Sequence, residues 1–487
     1  MLMSDSSPAF FTGRPSVKLL ESQIGDTPNR RLLVGLAALA FVWRLYFVWR
    51  FPFYTPDSQS YDGLAQNWLA HHLFGLEEGG RLTPLDFRLP GYPGFLALIY
   101  AIAGFSHRTV IVTQAALDTL TCLLAGRLAR AVSPRSCARQ AETWTVGIAA
   151  VCPFLPCYAA AILTEVPTTF FLTAALVAAV AAFRRGGRWS WLGAGALAGM
   201  ATLFRPESIL LGLAVGIALL IRYRTQSQGL GLWRAGLIYG VGLGLTLVAW
   251  TVRNAVTLHE FQPLAPRYAN SSIEYVPLGY SRWVRTWLVR YQDSNEAFWQ
   301  LNEGPIIIAN LPASAFDSQE EWTRVAALLA RYNTTATMTP EVDRGFAEIA
   351  AERIARHPWR YYLTAPLGRA VTMWFTPRIE TLPYSGELWP PRQRWAEDWQ
   401  DFLVTLAFGV INLILVGLAL SGLLVWRRQL AFADLLLVWI LLRTAFLTTV
   451  ETPEPRYVLE CYPAVFVLAA LGAVAIRQRF FPARAVN

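Results

Sequence analysis

The chain has 487 residues, 54% of them hydrophobic and only 15% charged, which excludes an ordinary soluble protein of this length. Its formal charge of +9 comes from arginine, with Lys18 the one lysine. The 254–400 stretch holds 14 Arg against 16 acidic residues, so the excess lies in the tail and short membrane loops and is no nucleic-acid signal.

Apolar runs long enough to cross a bilayer recur along the chain. Repeated alternation of apolar and polar residues is missing, which argues against an outer-membrane barrel. The expected fold class is an all-α polytopic membrane protein of about 10–11 transmembrane helices with an extracytoplasmic helical region.

Residues 1–30 are polar, contain Pro and Ser, and have no apolar core. They read as a disordered cytoplasmic tail rather than a cleaved signal. Spans are expected at 32–50, 109–130, 144–163, 166–183, 190–204, 207–222, 232–251, 402–426, 432–450 and 457–476. An amphipathic run covers 58–73, a short apolar segment 90–104, and a further amphipathic segment 359–375.

Basic residues follow or precede these spans at Arg30–Arg31, Arg127–Arg139, Arg184–Arg188, Arg222–Arg234, Arg427–Arg428 and Arg477–Arg479. Placing all of them in the cytoplasm leaves 90–104 as a juxtamembrane or re-entrant helix on the outer side. A cytoplasmic Ser106 in loop-accessibility labelling would refute that placement. The expected organisation is a tail (1–30), a membrane module (31–251) with a first outer loop at 51–108, an extracytoplasmic, interface-associated region (252–401), and C-terminal spans (402–487).

The 252–401 region is too long for a simple connection. Helical periodicity shows at 319–332 and 341–357, and nine of the 19 tryptophans fall in 254–400. The five cysteines (Cys122, Cys137, Cys152, Cys157, Cys461) all lie outside 254–400, so no disulfide framework can be built there.

Asp57, in Tyr54-Thr-Pro-Asp-Ser-Gln-Ser-Tyr61, sits just beyond the first span. It reads either as a general base at the membrane surface or as the N-cap of the 58–73 helix. Arg88, in Arg-Leu-Pro-Gly-Tyr-Pro93 with Tyr92, reads either as a phosphate-binding guanidinium or as an interfacial anchor. Glu165, after Thr164, opens an apolar helix, either as a dipole-complementing residue or as a second site carboxylate. Arg205-Pro206-Glu207 makes a turn that explains the proline and leaves the arginine unexplained.

Arg443 lies inside an apolar span, where a charge normally faces a cavity or a partner. Arg456 and Tyr457 end the loop Glu451-Thr-Pro-Glu-Pro-Arg-Tyr457. There Arg456 either serves an anion or simply pairs with Glu451, Glu454 or Glu460.

Taken together, the outer-loop D-x-x-x-Y, R-x-P-G-Y-P, T-E, R-P-E and E-x-R-Y resemble the GT-C membrane glycosyltransferases. The resemblance is to the bacterial protein O-mannosyltransferase and aminoarabinose transferase-like, glycosyltransferase family 39-like members. It covers 30–250 and the C-terminal spans, and is weak in 254–400. It implies an inverting transfer from a polyprenyl-phosphate sugar donor to an acceptor (lipid, glycan or protein) on the extracytoplasmic face of a bacterial inner membrane.

By the same resemblance Asp57 and Glu165 match the family's catalytic acidic positions, and Arg88 and Arg456 match positions near the lipid phosphate. Tyr92, Arg205, Glu207, Arg443 and Tyr457 complete the expected substrate-binding set. The first loop has a single Asp where some members have an acidic pair, so the sequence supports no metal or other cofactor, a divalent ion being the open alternative. A transporter or flippase of lipid-linked sugars is the alternative function. Transporters, however, place charge near the midplane and often show inverted repeats, and neither is visible here.

Overall fold

In the computed structural model, which describes residues 30–225, 231–266 and 275–480, the apolar runs become helices close to where the sequence puts them. The first half comprises α1 (Arg30–Arg50), α2 (Pro56–His71), α3 (Gly91–Ala103), α4 (His107–Val132), α5 (Ala138–Val151), α6 (Phe154–Ala159), α7 (Glu165–Arg185), α8 (Arg188–Phe204), α9 (Leu210–Thr225) and α10 (Leu232–Thr257). The 252–401 stretch contributes α11 (Leu278–Val284), α12 (Gln319–Asn333), α13 (Pro340–Arg356), α14 (Ala365–Phe375) and α15 (Pro391–Glu397), followed by α16 (Trp399–Trp426), α17 (Ala433–Leu447) and α18 (Tyr462–Phe480). The tail expected over 1–30 lies outside the described residues except for Arg30.

Six of these helical segments (Arg30–Arg50, His107–Val132, Glu165–Arg185, Leu232–Thr257, Trp399–Trp426 and Pro455–Phe480) are long and apolar enough to cross a bilayer, and the protein is a multi-pass membrane protein. Helices also form at 190–204, 207–222 and 432–450, as α8, α9 and α17 of 17, 16 and 15 residues. The 144–163 run is not one helix. Pro153, which has no N–H to donate, falls between α5 and the short α6, and the chain then runs without helix through Ala160–Leu163.

That break has a structural use. Phe53 pairs with this segment in a parallel bridge to Ala161, its N–H donating to Ala160 O at 3.0 Å and its carbonyl accepting from Ile162 N at 3.4 Å. The non-helical backbone is buried in protein and hydrogen-bonded, the condition under which a membrane protein tolerates it. The bridge fastens the start of the first loop beside the start of α7.

The loop also contains a hairpin absent from the sequence reading, β1 (Gly75–Glu78) against β2 (Arg81–Pro84). Its turn, Gly79-Gly80, has φ of 59° and 78°, which glycine adopts without steric cost.

Helix packing relies on small residues. A Cβ on Gly195 would run into the Tyr239 carbonyl, and one on Gly199 into Thr246. The Gly195-xxx-Gly199 face of α8 therefore lies backbone to backbone against α10. Gly422 and Gly472 bring α16 and α18 together in the same way. Inside the bundle Arg44 of α1 is paired with Asp118 of α4 at 2.7 Å, both side chains 1% exposed. The same guanidinium also donates to the carbonyls of Ala40 and Ala149.

The membrane helices share one hydrophobic core, and the large connecting region has its own, centred on Tyr280, Trp283, Tyr332 and Phe346.

Candidate active site

The site is assembled at one end of the bundle from five separate stretches of chain. Thr55 caps α2: its hydroxyl accepts from Ser58 N at 3.1 Å, and Ser58 Oγ accepts from Thr55 N at 3.0 Å, with Pro56 in the first turn. This reciprocal box overturns the reading of Asp57 as the N-cap. Asp57 is not the cap, so its carboxylate is free to point at other groups. Ser58 Oγ also donates to Ile162 O at 2.8 Å, which holds the cap against the broken span.

Asp57 Oδ1 accepts from Arg88 Nη2 at 2.6 Å, and Arg456 Nη2 stands 3.6 Å from Oδ2. Arg456 also lies 3.7 Å from Glu165 Oε1 and 2.5 Å from Glu454 Oε2. Glu165 Oε1 is shared with Arg205 at 3.1 Å. Arg205 in turn holds Glu207 at 2.8 Å and Glu460 at 3.2 Å.

Arg443 closes the far side. It binds Glu460 at 2.9 Å, stands 3.4 Å from Glu207, and donates from Nε to Tyr457 O at 3.0 Å. Tyr457 lies under the guanidinium of Arg205, 5.2 Å from its ring centre, and its hydroxyl donates to Glu454 at 2.6 Å. Four guanidiniums and five carboxylates thus form one connected network.

The network is buried at one end and open at the other. Arg443 and Glu460 have fully buried side chains, and Glu165 is 3% exposed. Asp57, Arg88 and Arg456 are 32%, 23% and 20% exposed. The accessible mouth is therefore one carboxylate held between two arginines. Burial pushes the Asp57 carboxyl up, but the guanidiniums of Arg88 and Arg456 outweigh burial and hold it below the usual carboxylate range. Arg88 is further steadied by the ring of Tyr61, 5.2 Å away.

Of the expected site residues, Asp57, Glu165, Arg88, Arg205, Glu207, Arg443, Arg456 and Tyr457 all meet in this network, Arg443 in its buried layer. Tyr92 does not join it. Its hydroxyl donates to Gln114 at 2.7 Å in the bundle interior, and only its ring approaches the site, edge-on to Tyr61 at 5.1 Å.

Glu454 and Glu460 are members that the sequence offered only as local partners of Arg456. Glu380 and Tyr158 were not singled out at all. Tyr158 donates to Glu380 at 2.7 Å, and no motif marks either residue.

Among the described residues no three His, Cys, Asp or Glu side chains converge as a metal-binding group. Asp57 and Glu165 have guanidinium partners, and the two arginines at the mouth suit an anion.

Comparison with known proteins agrees with this architecture. Residues 88–250 match the family described as dolichyl-phosphate-mannose-protein mannosyltransferase. No curated protein matches the chain in sequence.

Among solved structures, the Archaeoglobus fulgidus oligosaccharyltransferase tethered to an acceptor peptide aligns with a TM-score of 0.51 at 12% identity, covering 94% of this chain and 50% of its own. ArnT from Cupriavidus metallidurans bound to undecaprenyl phosphate aligns with a TM-score of 0.41 at 15% identity, covering 91% and 77%. The chain thus spans half the length of the oligosaccharyltransferase it matches. It shares with that oligosaccharyltransferase an all-helical membrane fold.

Proposed function

We propose that this protein is a glycosyltransferase that moves a sugar from a polyprenyl-phosphate donor to an acceptor hydroxyl, with inversion, on the extracytoplasmic face of a bacterial inner membrane. The observation that carries the reading is the mouth of the network, where an ionised Asp57 lies between Arg88 and Arg456.

In this scheme the donor phosphate enters between the two arginines, which bind it through charge-assisted hydrogen bonds and stabilise the negative charge that grows as the sugar–phosphate bond breaks. Asp57, displaced from its guanidiniums, takes the proton of the acceptor hydroxyl as that oxygen attacks the anomeric carbon. Displacement raises its basicity, because two cations are replaced by a neighbouring anion. Glu165, whose Oε2 is buried without a hydrogen-bond partner, is the second acidic residue of the site. Arg205 and Arg443 hold Glu207, Glu460 and the Arg456–Tyr457 segment in place. No metal is required in this scheme.

A single displacement by an acceptor activated by one base inverts the anomeric centre. The test is to incubate purified protein with polyprenyl-phosphate sugars and measure release of polyprenyl phosphate and transfer to added acceptors. Binding or translocation of the donor without release would favour a flippase instead.

A further inference from the structure

The large connecting region brings a carboxylate, Glu380, within electrostatic reach of Glu454. Arg378, fully buried, donates to the carbonyls of Met373 at 2.8 Å and of Trp374 and Thr376 at 3.4 Å, closing the C-terminal end of α14. It also sits 4.7 Å from the ring of Tyr462. With the turn after α14 fixed in this way, Glu380 meets Tyr158 of α6. Tyr158 is 1% exposed and donates to Glu380 Oε2 at 2.7 Å.

The other oxygen, Oε1, is buried without a hydrogen-bond partner, a costly state for an acceptor with nothing to accept from. Arg378, Glu454 and Cys157 lie within electrostatic reach of this carboxyl. Tyr291 lies within electrostatic reach of Glu380, Glu454 and Arg456, and its ring packs edge-on against Trp299 at 5.5 Å. Tyr457 donates to Glu454. Arg378 is engaged with backbone carbonyls, and Arg456 faces Asp57 and Glu165.

We infer that Glu380, positioned by Tyr158 and flanked by Tyr291 and Glu454, forms the acceptor subsite, and that it takes a neutral, hydroxyl-bearing group such as a glycan hydroxyl rather than an anionic acceptor. This rests on the proposed transferase reading and narrows its acceptor class. Glu380 Oε1 accepts a hydroxyl of the acceptor, Tyr291 supplies a second polar contact, and the two carboxylates repel a phosphate that would otherwise compete for Arg456. Burial, opposed by the Tyr158 hydrogen bond, pushes the Glu380 carboxyl up to about 7. Near neutrality it is therefore partly protonated, and the protonated form can both donate to and accept from a neutral hydroxyl.

The test uses the full-length protein in nanodiscs, with saturation-transfer NMR of methyl α-mannoside and methyl β-glucoside, and mannose 6-phosphate as the anionic probe. At least one neutral glycoside should bind the wild type, and the phosphate should bind at least tenfold more weakly. Glu380→Ala should weaken glycoside binding tenfold or more. Glu380→Gln, which keeps a polar group but no charge, should hold the glycoside within threefold and bind the phosphate better than the wild type does.

Both variants should keep polyprenyl-phosphate affinity within twofold, which shows that they are folded and that the donor site is intact. Saturating polyprenyl phosphate, which fills the donor site without reacting, should leave the glycoside bound. The assignment is overturned if neither glycoside binds, if Glu380→Ala binds as the wild type does, if mannose 6-phosphate binds as well as the glycoside, or if polyprenyl phosphate displaces the glycoside. Failure of the donor reading is a separate result: polyprenyl phosphate would bind Arg88→Ala as tightly as the wild type.

Discussion

Replacing Asp57 with asparagine separates the two roles of this carboxylate, because they move in opposite directions. As general base it contributes about 10²–10⁴-fold to turnover, or about 3–5 kcal/mol at 1.36 kcal/mol per tenfold. As a partner of Arg88 at 2.6 Å and of Arg456 at 3.6 Å it competes with the donor phosphate for the same guanidiniums. Pairs this exposed contribute about 0.2–1 kcal/mol, so removing the charge should tighten polyprenyl-phosphate binding by up to about fivefold. Asp57→Asn should therefore lower kcat by two to four orders of magnitude while product affinity holds or rises. Turnover is read as polyprenyl phosphate released, and affinity by titration with polyprenyl phosphate.

The pH profile carries the same logic. In the free protein the carboxyl is depressed, so its ion pair is present above the ordinary carboxylate range and is lost only as pH falls through the depressed value. With phosphate on the arginines its basicity rises, so the acid limb of kcat should lie at higher pH than that of kcat/KM. A folded Asp57→Asn protein that turns over within tenfold of the wild type would refute the reasoning, as would one that loses polyprenyl-phosphate affinity as severely as Arg88→Ala.

Other predictions concern the supports of the site. Arg443→Met leaves Glu460 and Glu207 short of a buried partner and should cost about 3–5 kcal/mol of stability, with Arg443→Met/Glu460→Gln recovering part of it; thermal unfolding in detergent reads both, and an unshifted single variant would contradict the network. Glu380 rises from 4.5 to about 7, so its contribution is fully present below its unfolded value and is lost as pH rises through about 7, by at most about 3 kcal/mol. Glu380→Gln should accordingly unfold at a higher temperature than the wild type at pH 8, with the difference shrinking towards pH 5. Gly199→Leu should abolish the monodisperse folded species in size-exclusion chromatography, because its Cβ meets Thr246 and the Leu243 carbonyl, whereas Gly193→Leu, with open space around it, should be tolerated.

Much of the site was legible because its members carry charge in places where charge is costly. An arginine inside an apolar span at Arg443, and arginines at the edges of apolar runs at Arg88, Arg205 and Arg456, stand out against the hydrophobic background. Tyr92 shares a motif with Arg88, but a tyrosine in the first turn of an apolar helix has a second place to go, the bundle interior beside Gln114. Arg44 and Asp118 pair through space from α1 and α4, and nothing in their local sequences announces the pairing. Nothing in the sequence marks Glu380, because carboxylates are ordinary in the 254–400 stretch, which holds 16 acidic residues. Its special state comes from burial against Tyr158, 222 residues away.

The sequence by itself determined the class of protein, the positions of nearly all the helices and the identities of the charged residues, since bilayer spanning depends on run length and hydropathy along the chain. Only the tertiary structure decided that Thr55 rather than Asp57 caps α2, that the 144–163 run breaks to pair with Phe53, and that Asp57 ends between Arg88 and Arg456 while Arg443 stays buried behind them. Those outcomes depend on which distant segments come within hydrogen-bonding distance, and a one-dimensional pattern of polarity does not record that.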